Sequence, residues 1–275
     1  MEERLRLVER LERPERAEAA LVVATLEELG EHAPILAEMR RAAIVTIGNE
    51  IVSGDTENTN GSWLARRFAA LGVEVSLIAA IPDVIEEVAA FVRQWATAAD
   101  AVVVTGGLGG TPDDLTREAI SAAFGVSQVE QPDVAAALRA RFARNPDYAA
   151  RWALLPEGSR PLENPLGGAP GFAIGNVYVL PGLPSEMEAM FETIAEELRG
   201  GAPIGSWRRT YTTTESRIAA VLEEAGERFP GVLVGSYPSF EDGTAEVEVV
   251  LKSADADALV AASEWMEAAL AGATA

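Results

Sequence analysis

Ala101-Val102-Val103-Val104-Thr105 runs directly into Gly106-Gly107-Leu108-Gly109-Gly110-Thr111-Pro112-Asp113-Asp114-Leu115-Thr116. The β-branched first half reads as a strand buried on both faces. The second half reads as a helix start, with Thr111 as capping residue, Pro112 at the first helical position and Asp113 and Asp114 in the first turn. The glycines between them let another backbone or a ligand come close, and a strand, a glycine loop and a helix N-terminus together make an anion site. Carboxylates beside a phosphate repel it unless a cation lies between, and hard divalent ions take both kinds of oxygen. The stretch therefore points to a metal-bridged phosphate or pyrophosphate site. Asp113 and Asp114 are its candidate metal ligands, and Gly106, Gly107 and Gly109 its candidate phosphate-facing N–H groups. A tight βα turn whose aspartates only cap a helix is the plain alternative. The loop has neither G-x-G-x-x-G nor G-K-[ST], so it is neither a dinucleotide fingerprint nor a Walker A.

The elements around this stretch alternate. Ala42–Ile47 reads as a strand, followed by a loop from Gly48 through Glu50 and Gly54 to Asn58 and Asn60, then a helix carrying Trp63, Leu64, Phe68 and Leu71 and stopped by Gly72. Val73–Ile81 reads as a second strand, and Asp83 as the cap of a helix carrying Val88, Val92 and Trp95. The glycine stretch supplies the third strand and a helix from about Pro112 to Phe124. This βαβαβα order predicts a mostly parallel sheet covered by helices, with ligands at the carboxyl ends of its strands. Further on, Pro132–Phe142 reads as a helix, 145–161 as irregular and Asn164–Phe172 as a loop of turn formers. Val177–Leu180 is a strand that enters Pro181-Gly182-Leu183-Pro184-Ser185, where Ser185 and Glu188 make a capping-box pair. Gly200-Gly201-Ala202-Pro203 marks a boundary. Three domains are expected: a helical extension over 1–40 containing His32, an α/β domain over 41–200, and a small α+β module over 201–275 in the order βαββα.

Composition narrows the classes. With 48% hydrophobic residues the chain is globular rather than disordered. No apolar run approaches the roughly 20 residues of a membrane span, and the N-terminus, opening with Glu2, Glu3 and Arg4, has no apolar signal core. The chain contains no cysteine and one histidine, which excludes disulfide and thiolate chemistry and the usual zinc sites, and fits a cytoplasmic protein. A net charge of −21 with no basic stripe argues against a nucleic-acid surface.

Four stretches together resemble the CinA family, whose N-terminal part has the molybdopterin-binding fold shared with molybdopterin adenylyltransferases. They are Thr46–Asn60, Thr105–Thr116, Asn164–Phe172 and Leu180–Met187, with weaker continuity through Thr214–Ala219 and Val234–Pro238. The resemblance implies a three-layer α/β/α domain binding a phosphorylated nucleotide or pterin with a divalent metal, Mg²⁺, Mn²⁺ or Co²⁺. It implies catalytic roles for Asp114, Asp113 and Glu50, and binding roles for Thr105, Gly106, Gly107, Gly109, Thr111, Asn58, Asn60, Pro181, Gly182 and Ser185. Asn58 stands where the adenylyltransferases have a second catalytic aspartate, and Gly110 where the family often has proline. The implied activity is hydrolysis of ADP-ribose to AMP and ribose 5-phosphate. Adenylyl transfer from ATP to molybdopterin and ligand binding without turnover are the alternatives. A homodimer or homotrimer is also implied. The nicotinamide-mononucleotide deamidase activity of longer CinA proteins, carried by a further C-terminal domain, is not expected here.

Of the 22 basic residues only Lys252 is a lysine, and such an acidic, lysine-poor surface resembles proteins of salt-loaded cytoplasms. Salt screens the self-repulsion. The thermal unfolding midpoint is therefore expected to rise as KCl goes from millimolar to molar concentration. A midpoint indifferent to salt would remove this reading.

Overall fold

The computed structural model describes residues 40–241 and 243–271, with the Glu241 side chain left aside. The expected helical extension, with His32, lies outside these residues. What is described forms two compact units that meet in sequence at Gly205 and Ser206.

In the larger unit the strands are β1 (Arg41–Ile47), β2 (Glu74–Ile81), β3 (Ala101–Thr105), β4 (Gln128–Glu130), β5 (Leu154–Pro156), β6 (Arg160–Leu162), β7 (Gly171–Ile174) and β8 (Val177–Leu180). Six of them make the main sheet in the order β2-β1-β3-β8-β7-β6. The first four are parallel, and β7 and β6 are added antiparallel at one edge. Alternation along the central strands divides the interior. Ala42, Ile44, Ala101, Val103 and Leu180 face one core, whereas Ala43, Val45, Val102, Val104 and Val179 face the other. Period-two alternation with both faces apolar is what a central parallel strand requires.

Helices cover both faces. Thr59–Ala70 (α2, after the four-residue α1, Asn49–Val52) sends Leu64 and Phe68 into the first core, where Pro184–Leu198 (α7) adds Met187, Met190, Phe191 and Ile194. Ile85–Ala98 (α3) and Thr116–Phe124 (α4) close the second core with Val88, Val92, Ala119 and Ile120. Between β4 and β5 the helices Pro132–Arg141 (α5) and Pro146–Ala150 (α6) and a 3₁₀ turn, Arg151–Ala153, form an arm. Its own small core contains Ala135, Leu138, Ala149 and Ala153. The unit is a three-layer α/β/α domain with a mostly parallel sheet.

Local expectations are corrected at four places. Helix α4 starts at Thr116 rather than Pro112, because residues 111–115 are drawn into a loop described below. Asp83 does not cap α3, whose N-cap is Val84. Its carboxylate instead accepts the Asn49 N–H at 2.9 Å. At α7, Pro184 takes the first helical position and Leu183 the cap, which leaves Ser185 two residues past the cap and outside a capping box with Glu188. The segment 145–161, expected to be irregular, carries α6, the 3₁₀ turn and β5, and Gly171 and Phe172 belong to strand β7.

The smaller unit has the order β9 (Gly205–Tyr211), α8 (Glu215–Arg228), β10 (Leu233–Glu241), β11 (Thr244–Ser253) and α9 (Ala256–Leu270), with sheet order β10-β11-β9. Ile218, Val247, Val249, Leu251 and Met266 fill its core. Asp255 caps α9 by accepting the N–H groups of Asp257 and Ala258.

Phe191 is fully buried, with Trp63 and Phe68 edge-on to it at 5.6 and 5.4 Å between ring centroids. Phe191→Ala is expected to lower the stability of the larger unit by about 3–5 kcal/mol in urea unfolding. A loss under about 1 kcal/mol would show that this ring contributes little.

Candidate functional site

A cavity of about 490 Å³ opens where β1, β2, β3 and β8 end. Strand carboxyl ends are where parallel α/β sheets place ligands, and the size suits a small molecule. One wall is the glycine loop after β3. Gly106 has φ +107°, and a Cβ there would lie 2.1 Å from the Ile47 carbonyl oxygen, so only glycine lets the loop cross the end of β1. Thr116 fastens the other end of the loop, its hydroxyl donating to Gly106 O at 2.8 Å and its N–H to Gly107 O.

The loop is shaped by two opposite charges. Asp114 accepts from the N–H groups of Gly109 and Thr111 at 2.8 Å each and from the Thr111 hydroxyl. The Arg117 guanidinium lies buried and donates to the carbonyls of Leu108 and Gly109. Burial lowers its pKa to about 10, against the opposing pull of Glu118 and Asp114. Asp114 is therefore a clasp for the loop as well as a candidate metal ligand. Three donors leave part of its acceptor capacity for a cation.

This arrangement corrects the expected phosphate donors. Gly106 N–H is taken by Leu180 O and Gly109 N–H by Asp114. Among the described residues the N–H groups of Gly107, Leu108 and Gly110 have no acceptor, and of these residues Gly107 and Leu108 line the cavity.

A second network ties the strand ends together. The buried Thr105 hydroxyl donates to Pro181 O at 2.7 Å. Asn60 Nδ2 donates to Thr105 Oγ1 and to Gly182 O. Asn58 Oδ1 accepts from Gly61 N–H, as the N-cap of α2, and from the Thr46 hydroxyl. Thr105, Asn58 and Asn60 thus line the cavity while fixing its frame, and the Asn58 oxygen is already occupied. Pro181 and Gly182 line it through their backbone. Thr111 and Ser185 do not line it: Thr111 serves Asp114, and Ser185 is exposed on the second position of α7.

Glu50, Asp83, Asp113 and Asp114 are all cavity residues, and among the described residues the side chains lining the cavity include no Lys, Arg or His. Desolvation raises the Asp83 pKa first, and the charges of Glu50, Asp113 and Asp114 add to it, while the Asn49 N–H acts against them. Among the described residues no group of three or more His, Cys, Asp or Glu is arranged to hold a metal ion. An ion here would therefore take one or two carboxylates and complete its shell from a ligand, as Mg²⁺ does with phosphates.

Sequence reasoning missed Asp83, Arg117, Trp152 and Glu186. Asp83 follows the end of β2 as Glu50 follows β1 and Asp114 follows β3, so its place was readable from the strand-end rule. Glu186 lines the cavity with its carboxylate held by Asn164 Nδ2 at 3.0 Å. Trp152 comes from the arm, where no sequence signal marked it.

Residues 43–200 match the family described as "Probable molybdopterin binding domain", more than half of the chain. A crystal structure of the protein CinA from Thermoplasma acidophilum is similar to it, with 32% identity and a TM-score of 0.55, over 58% of this chain and 99% of that one. This chain belongs to the CinA family of molybdopterin-binding-domain proteins. A protein of Pyrobaculum calidifontis is 37% identical over 73% of this chain and 81% of its own length. A CinA-like protein of Frankia casuarinae is 38% identical over 68% of this chain and 48% of its own length, so the chain spans about half of that CinA-like relative. Residues 209–275 match the "FAD synthase, middle domain".

Because the raised pKa of Asp83 marks its ionised form as disfavoured in the fold, its contribution favours folding below its unfolded pKa and is lost as pH rises through the folded one. Asp83→Asn keeps an acceptor for Asn49 and removes the charge. Its thermal midpoint is expected to exceed wild type at neutral pH, with the gap closing as pH falls below about 4. A gap independent of pH would show that Asp83 charge carries no cost here.

Proposed function

We propose that this CinA-family domain is a metal-dependent hydrolase of a nucleotide-type pyrophosphate bond, with ADP-ribose as the representative substrate. The observation that carries this reading is the pairing in one cavity, among the described residues, of unpartnered loop N–H groups with carboxylates and no basic side chain. An uncharged ligand gains little from the six carboxylate residues of the lining, Glu50, Glu57, Asp83, Asp113, Asp114 and Glu186, and a bare phosphate is repelled by them. A phosphorylated ligand arriving with Mg²⁺, Mn²⁺ or Co²⁺ satisfies both sets of groups.

The hard oxygen donors fit such an ion, and the disfavoured charge of Asp83, from burial first and then from Glu50, Asp113 and Asp114, is what a nearby cation relieves. Asp113, exposed beside the loop, and Asp114, through its remaining acceptor capacity, are the residues to hold it. A divalent ion supplies neutralisation of the pyrophosphate and a water of lowered pKa. Gly107 and Leu108 receive phosphate oxygens through their N–H groups. Glu50 and Asp83, at the ends of the neighbouring strands, orient the attacking water and accept its proton. The lone histidine of the chain is not needed as a base. Asn58, used as a helix cap, offers no second carboxylate for adenylyl transfer to a pterin.

The test is AMP release from ADP-ribose with each of the three metals in high-salt buffer, alongside folding of each variant. Wild type is expected to release AMP only with metal. Asp113→Asn is expected to lose at least about tenfold in rate with an unchanged melting temperature, by the electrostatic worth of one charge at such a site. Asp114→Ala is expected to lose both activity and stability, because it opens the loop. Folded wild type that releases no AMP with any metal would end the hydrolase reading.

A further inference from the structure

Trp152 lines the same cavity but belongs to the arm between β4 and β5, away in sequence from every loop of the phosphate site. Its ring is fixed from two sides. Phe142 stands edge-to-face with it at 5.2 Å and 86°, and Tyr148 at 6.0 Å and 70°. Tyr148 is fitted in turn to the glycine loop, since a Cβ on Gly110 would come within 2.4 Å of the tyrosine oxygen. A residue larger than glycine at 110 forces Tyr148, and with it the support of Trp152, to move. The indole is thus a pre-set surface, which costs little side-chain entropy when something packs on it.

Two polar atoms of cavity-lining residues are left without partners. Trp152 Nε1 is a buried donor with no acceptor, and Asn60 Oδ1 is a buried acceptor with no donor. Asn60 is only 6% exposed, and its Nδ2 is correctly placed against two acceptors, so the orphaned oxygen is not an inverted amide. Buried polar groups normally find partners, so the orphan acceptor of Asn60 calls for a ligand that carries a donor, whereas the indole N–H lies in the ring plane and is not served by a ligand stacked on the ring face. Flat nitrogen heterocycles carry exocyclic amino groups as donors, and their faces stack on indole.

We propose that Trp152 is the platform on which the flat nitrogen heterocycle of the phosphorylated ligand, a purine or a pterin, stacks, with Asn60 accepting from its amino edge. This rests on the reading of the cavity as a phosphorylated-ligand site. It assigns the arm a part in ligand selection and ties that part to Gly110.

The test measures binding rather than turnover, in high salt with Mg²⁺, using AMP, 6-hydroxymethylpterin and ribose 5-phosphate as probes. Wild type is compared with Trp152→Phe, which keeps an aromatic face, and Trp152→Leu, which keeps apolar bulk alone; circular dichroism verifies folding of both. Trp152→Leu is expected to weaken AMP or the pterin by about tenfold or more, from the usual worth of one base–aromatic stack. Ribose 5-phosphate affinity stays within about twofold in the same variant, and Trp152→Phe stays within about threefold of wild type for the heterocycle, because the phosphate contacts and an aromatic face remain. Whichever heterocycle is weakened identifies the purine or the pterin as the source. Equal loss for ribose 5-phosphate, or no loss for either heterocycle, overturns the platform, as does wild type that binds neither heterocycle. ADP-ribose turnover with AMP affinity unmoved by Trp152→Leu overturns the platform alone. Heterocycle binding lost in Trp152→Leu without any ADP-ribose turnover in wild type overturns only the hydrolase reading.

Discussion

The shape of the glycine loop depends on the buried Arg117 guanidinium and the Asp114 carboxylate acting on its two kinds of backbone group. Arg117 takes the carbonyls of Leu108 and Gly109, and Asp114 takes the N–H groups of Gly109 and Thr111. A guanidinium out of water is costly unless its donors are used and an opposite charge is near. Here the two terminal nitrogens are used by the loop that Arg117 holds, Nε is left without a partner, and Glu118 and Asp114 supply the opposite charge. What remains unpaired, the N–H groups of Gly107, Leu108 and Gly110, is what a glycine loop can offer to an anion. The proposed role of the loop as an anion receptor follows from these free donors, since several of its other polar groups are satisfied within it.

The rest of the domain keeps that loop against its neighbours. Gly106 crosses the end of β1 with no room for a side chain, and Thr105 and Asn60 join the ends of β3, β8 and α2 in one hydrogen-bonded knot. The parallel strands bring Glu50, Asp83 and the Asp113–Asp114 pair to one cavity from three strand ends. Burial, and after it the charges of the other three, hold the Asp83 carboxyl above its ordinary value. Stability and the proposed function pull in opposite directions at Asp83: its buried charge is disfavoured by the fold, and the cation of the proposed reaction would favour it. The molybdopterin-binding fold by itself does not choose the chemistry. What this cavity adds to the fold is its acidic lining, Asn58 used as a helix cap, and the aromatic arm.

Asp114 shows how a side chain can be read correctly as important and still be misjudged in its role. In sequence it stands in what looks like the first turn of a helix. In the structure it closes a loop, and the helix waits until Thr116. Asp83 was misread in the same way, as a cap rather than a cavity group. Short-range rules rank capping first because it needs only neighbours in sequence. The partners that displaced it, Asn49 for Asp83 and Gly109 for Asp114, are set by the crossing of strands or by glycine dihedrals that the rules do not resolve.

The sequence alone determined the α/β class with a mostly parallel sheet, the order of β1 to β3 and their helices along the chain, and the resemblance to the CinA family that implied a three-layer domain, and it pointed to the glycine loop as the candidate site. Local pattern carries the first two, through β-branched runs, helical periodicity and glycine and proline positions, and the spacing of four motifs carries the resemblance. Tertiary structure decided which backbone donors of the loop stay free, the clasp roles of Asp114 and Arg117, the entry of Asp83 and Glu186 into the cavity, and the placing of Trp152. Each of these depends on contacts between segments distant in the chain. The indole of Trp152 is the clearest case. Its segment is too short and too irregular to carry a period, and only the packing of Phe142 and Tyr148 around it, with Gly110 making room, brings it to the ligand cavity.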